Sequence, residues 1–185
     1  MNEASRRLTL GTIPALAVLL LAGCASTPQT RGEQQVLDAQ AQSVVSQMVE
    51  RDPSLRRVLN RSFGYVVIPR VSEAAWGIGG TGGVGVAYER GRPVGHVTLR
   101  QISTGIQAGA QRYAQLIVFQ TPASFQSLRS GQFDLTAQAT ATVLGRGGAE
   151  QARFRNGVAV FVLPETGAMA GVSVAGQRLS FEPIV

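Results

Sequence analysis

Few residues in this chain could do chemistry. Cys24 is the only cysteine and His96 the only histidine. A single cysteine excludes a disulfide within the chain and any thiolate zinc site. One histidine with scattered carboxylates supplies no metal-ligand cluster. Ser173 sits in Gly171-Val-Ser173-Val-Ala175-Gly176, a near miss to a nucleophile elbow with Ala175 where glycine is expected. The elbow also needs a strand-to-helix turn, and no helix follows. A hydrolase would have to pair Ser173 with His96, which reads as lying within a strand. No catalytic, metal or cofactor residue is assigned, and an enzyme is not expected.

The glycine stretch Gly77-Ile-Gly79-Gly80-Thr-Gly82-Gly83-Val-Gly85 matches G-x-G-x-x-G twice. A dinucleotide site would need a helix after it and an acidic residue about 20 positions on. The following Val86-Ala-Tyr-Glu-Arg-Gly91 reads as strand and turn, and no acidic residue lies between Glu89 and Asp134. These glycines are expected to serve close packing or curvature. Every basic side chain is Arg, so a P-loop, a Schiff base and a kinase strand lysine are all impossible. The formal net charge is +6, but no basic run of a nucleic-acid arm is present. One local cationic cluster stands out: Arg51, Arg56, Arg57 and Arg61. It reads either as a solvated face paired with Glu50 and Asp52, or as a contact for anionic lipid head groups at about 1 kcal/mol per cation.

These residues must be positioned by an N-terminal address, a tether and a domain. Arg6 and Arg7 precede an apolar run, Leu8 to Ala22, shorter than the ~20 residues of a membrane span. The run ends in Leu21-Ala-Gly-Cys24, which resembles the lipobox of bacterial lipoproteins, where the cysteine is the acylation point. That resemblance implies a signal peptide over 1–23, removed in the mature chain, and acyl chains such as palmitate on Cys24. Ala25 rather than Asp follows, a pattern that resembles outer-membrane sorting. Residues 24–32 read as a lipidated tether. Lipid anchoring at the periplasmic face of the outer membrane is the expectation.

Residues 33–185 read as one domain. Val36, Leu37, Ala41, Val44, Val45 and Met48 form an apolar stripe at helical spacing, with Gln34, Gln35, Asp38, Gln42 and Gln47 opposite. Asp52-Pro53 interrupts the helix, and a second runs from Ser54 to Asn60. Strands are expected at 64–69, 76–88, 93–100, 113–119 and 158–163, with a turn at 89–93. Thr121-Pro122 marks a helix start, and Ser130-Gly131 its stop. Residues 134–144 read as strand, and 167–174 with 178–181 as a closing hairpin around Gly176. The fold class is α+β: a mainly antiparallel, barrel-like, glycine-rich sheet with N-terminal helices and an internal helix.

The order of several motifs resembles the SYLF-domain family. They are Gly64-Tyr-Val-Val-Ile-Pro69 with the glycine stretch, Ser103-Thr-Gly-Ile-Gln-Ala-Gly-Ala-Gln111 with Leu116-Ile-Val-Phe119, Phe133-Asp-Leu-Thr-Ala-Gln-Ala-Thr-Ala141 with Leu144-Gly-Arg-Gly147, and Gly167-Ala-Met-Ala-Gly-Val-Ser173. The resemblance covers roughly 34–183. It implies a lipid-binding module. Eukaryotic members are associated with phosphoinositide membranes and, in fungi, with actin; bacterial members include lipoproteins. A phospholipid membrane is the expected partner, with Arg51, Arg56, Arg57 and Arg61 on the head groups. The other expectation is a structural or interaction protein of the cell envelope that binds a protein or glycan. No nucleic acid and no cofactor are expected.

Overall fold

A computed structural model describes residues 27–135, 140–166 and 174–184. Helix α1 spans Arg31–Arg51 and α2 Leu55–Arg61. Two long strands follow, β1 at Gly64–Glu89 and β2 at Arg92–Phe119, then α3 at Pro122–Arg129. The remaining strands are β3 at Gln132–Asp134, β4 at Ala141–Val143, β5 at Val158–Thr166 and β6 at Arg178–Pro183.

Local chemistry explains most of the boundaries. Thr30 and Glu33 form a reciprocal capping box, in which the Glu33 amide donates to Thr30 Oγ1 at 3.2 Å and the Thr30 amide to Glu33 Oε2 at 3.0 Å. This cap starts α1 at Arg31, inside the segment expected to be tether, and Thr27 before it is nearly buried. Asp52, preceding Pro53, is extended, with φ −138°, and ends the helix as the proline ring requires. Thr121 caps α3 and Pro122 opens it. Arg90 and Gly91 both have positive φ, 49° and 80°, the conformation of a two-residue hairpin turn between Glu89 and Arg92.

The expected run of separate short strands is instead one long hairpin. The glycines break nothing: Gly79, Gly80, Gly82, Gly83 and Gly85 all have antiparallel partners in β2, from Ser103 to Val97. What glycine permits is a sharp curl. A Cβ on Gly85 would lie 2.2 Å from the Val67 carbonyl oxygen, and one on Gly83 2.7 Å from the Ile68 side chain. The C-terminal half of β1 therefore crosses directly over its own start, and the Arg90 amide closes the curl on the Phe63 carbonyl at 3.0 Å. Strand β2 carries β1 along one edge. Along the other edge, β6 pairs with 95–100 and β5 with 112–119. The path β3-β6-β2-β5-β4 is antiparallel except for the parallel pair β4–β5.

Side-chain alternation sends each strand into two cores. On β2, Tyr113, Ile117 and Phe119 point into the concave side with Val66, Ile68, Leu99, Val160 and Leu179. There α3 inserts Phe125 and Leu128. Ala114, Leu116 and Val118 point the other way, with Val67, Val86 and Phe161, onto Ala41, Val44 and Met48 of α1 and Leu55 of α2. Burial on both faces is why 113–119 is apolar at every position but Gln115. Each such aliphatic side chain contributes about 1.5–3 kcal/mol through water exclusion.

Three expectations change. Val36 is 57% exposed, so the packing stripe of α1 runs through Leu37, Ala41, Val44 and Met48. Asp38 leaves the polar face: it is half-buried beside Tyr88. Residues 134–144 are strand only at their ends, in β3 and β4, and 136–139 fall outside the described residues. Residues 167–173 of the expected closing hairpin are also outside; the described partners of β6 are β2 and β3.

Candidate functional site: an arginine-bearing cleft at the helical layer

Asp52 fixes the geometry of the helical layer. The sequence suggested that its carboxylate would pair with neighbouring arginines. It is instead fully buried and accepts four hydrogen bonds, from the Ser54 amide (3.1 Å) and hydroxyl (2.6 Å) and from the amides of Gly147 (3.2 Å) and Ala149 (2.8 Å). Gly147, at φ +77°, turns the loop so that its amides converge on the carboxylate. Burial pushes the Asp52 pKa up, but these donors together outweigh it and hold the group below its ordinary range. The helical layer is thereby tied to the 145–149 loop.

So anchored, α2 distributes its arginines to two sides. Arg56 lines an open cleft of about 1140 Å³ between α1, α2 and the β1–β2 turn. Val45, Val49, Leu59 and Tyr65 form its apolar wall, and Glu50 and Arg90 stand on its rim. Tyr65 stacks on Tyr88 with ring centroids 5.0 Å apart. Arg57 and Arg61 line a smaller cleft of about 230 Å³ on the other side of α2, with Phe154 and Glu150. There Arg57 forms an ion pair with Glu150. Arg51 is exposed at the end of α1 and lines neither cleft. The four sequence-adjacent arginines therefore do not converge on one point. Cys24 and Ser173 lie outside the described residues.

Arg90 is the cleft residue that the sequence reading missed. The turn brings it to the same cleft as Arg56 despite the distance in sequence, and its guanidinium lies 5.3 Å from the Phe63 ring centroid. The signal was the Arg90-Gly91 dipeptide between two strand patterns, which locates a tight turn but not the surface it meets.

His96 is 4% exposed, and its Nε2 has no hydrogen-bond partner. Its cross-strand neighbours are Val86 and Glu182. Among the described residues no group of three or more His, Cys, Asp or Glu could hold a metal ion, and no helix is long and apolar enough to cross a membrane.

The curled antiparallel sheet backed by helices is a half-barrel α+β domain. A family model described as Ysc84, Las17-binding protein actin regulator, matches residues 100–183. That stretch, a little under half of the chain, is similar to this family, that of the SYLF domain. The matched stretch covers most of β2 and everything to β6, including the loop that holds Asp52. No curated protein matches the chain.

Proposed function

We propose that the chain is a lipid-anchored, non-enzymatic protein of the outer membrane's periplasmic face. In this reading residues 1–23 are a signal peptide, Cys24 carries the acyl chains, 24–32 form the tether and 33–185 the domain, which binds phospholipids with anionic head groups. The observation that carries the lipid reading is the α1–α2 cleft. Arg56 and Arg90 stand at the edge of an apolar wall, the pairing that a phosphate ester with attached acyl chains requires. Glu50 on the same rim favours one phosphate over a densely charged ligand. Arg51, Arg57 and Arg61 add a wider positive field, with Arg57 partly neutralised by Glu150. Attachment at Cys24 keeps the domain near the bilayer, since two or more acyl chains anchor stably.

Flotation of the full chain with anionic and neutral vesicles tests this. Anionic vesicles should recover more protein, and Arg56→Gln and Arg90→Gln should each reduce that preference about fivefold. Equal recovery on both vesicle types, unchanged by the substitutions, defeats the head-group reading. Mass spectrometry tests the anchor: an unmodified Cys24 sulfur on protein found free in the periplasmic fluid defeats it.

A second reading, an envelope protein with a protein partner, is supported by the family description, which names a protein-binding regulator of actin. Crosslinking that captures a defined partner, with no preference among vesicles, would favour it.

A further inference from the structure

The two ends of the curled sheet leave a seam, and the seam holds a built cavity. The sheet path ends at β3 on one side and at β4, beside β5, on the other. Phe133 and Leu135 from the first end, and Val158 and Val160 from the second, line one cavity of about 150 Å³. Leu135 and Val160 are core residues, each 3% exposed, so the cavity floor is the concave core itself. Arg153 and Arg155 stand at its mouth. Neither makes an ion pair among the described residues. The acidic residue on the lining, Asp134, is already held by Arg178, with Nε to Oδ1 at 2.8 Å and Nη2 to Oδ2 at 3.2 Å. The mouth is therefore cationic over an apolar floor. Arg155 is set by a tight turn: Asn156 and Gly157 have φ 51° and 76°, and Arg155 and Val158 exchange both backbone hydrogen bonds at 2.9 Å.

We propose that this seam is a second ligand site, specific for a small carboxylate amphiphile: the apolar tail of a fatty acid on the core floor, its carboxylate on Arg153 and Arg155. An apolar cavity of about 150 Å³ accepts roughly a six-carbon group. Paired guanidinium groups bind a carboxylate through charge-assisted hydrogen bonds. Mouths of β-barrels are habitual places for such ligands. The site shares no residue with the α1–α2 cleft and stands or falls apart from it.

Calorimetric titration of the full chain with octanoate, and with octylammonium as the opposite-charge control, tests the assignment. Octanoate should bind saturably at one site, and octylammonium at least tenfold more weakly. Arg153→Gln/Arg155→Gln should weaken octanoate at least tenfold. Ser127→Trp, at an exposed lining position on α3, should abolish binding by filling the mouth while keeping any preference for anionic vesicles. The double arginine variant alters only exposed side chains, so it serves even if Ser127→Trp fails to fold. Absence of saturable octanoate binding, equal binding of octylammonium, or octanoate affinity unchanged in Arg153→Gln/Arg155→Gln overturns the proposal.

Discussion

Gly85 lies directly beneath Val67 of the same strand, so close that a Cβ at position 85 would sit 2.2 Å from the Val67 carbonyl oxygen. The nearest obstructing group, the Val67 carbonyl, belongs to backbone and cannot rotate away. Gly85→Ala should therefore destabilise the domain by about 3 kcal/mol or more, read by chemical denaturation. Gly80→Ala, where a Cβ would meet nothing within 4 Å, should cost less than about 1 kcal/mol. Equal losses at the two positions would refute the crossing as the reason for the glycines.

Asp52 makes a second prediction, with a defined pH sign. Its folded-state pKa is depressed, so its contribution is present above the ordinary carboxylate range and is lost as pH falls through the folded value. Asp52→Ala should cost about 2–4 kcal/mol at neutral pH, because the buried amide of Ala149 and the part-buried amide of Gly147 lose their acceptor. The stability difference between wild type and Asp52→Asn should shrink as pH drops below about 4. A constant difference from pH 7 to pH 2 would contradict this account.

Gln115 and Gln177, both fully buried, hydrogen-bond inside the concave core, with Gln115 Nε2 donating to Gln177 Oε1 at 2.7 Å. Gln177→Leu alone strands the Gln115 amide and should cost about 1–3 kcal/mol. Adding Gln115→Leu should recover most of that loss. A double-mutant cycle with no coupling would show that the pair does not act as a unit.

Tyr88 contributes to the alkaline limit, together with the buried Tyr113. Burial first, then the charge of Asp38 and the neighbouring Tyr65, push the Tyr88 pKa up to about 12. A raised folded value means the contribution is complete below about pH 10, the ordinary tyrosine value, and is lost as pH climbs towards 12. Tyr88→Phe should therefore flatten the fall in stability between those two values, measured by thermal denaturation across the range. An unchanged alkaline slope would place the sensitivity elsewhere.

Features that depend on neighbours along the chain are legible from residue types and spacing. Thr121-Pro122 marks a helix start because capping acts within one turn, and the Thr30-Glu33 capping box, local in the same way, opens within the stretch that reads as tether. Asp52-Pro53 ends a helix because the ring excludes it, and the motifs of β2 and its successors carry the resemblance to the SYLF-domain family. Features that depend on contacts between distant segments emerge only in the folded chain. Glycines that read as punctuation between strands became the crossing point of one continuous strand, because pairing to β2 persists through them and only the fold brings Val67 over Gly85. Asp52 read as a surface ion-pair partner until a loop nearly a hundred residues away supplied its donors. Arg56 separated from Arg57 and Arg61 onto opposite sides of α2, Arg51 met neither cleft, and Arg90 came to line the cleft of Arg56 through the curl of a strand. Charge pattern is written along the chain, but which charges share a cleft follows from where the sheet turns back on itself.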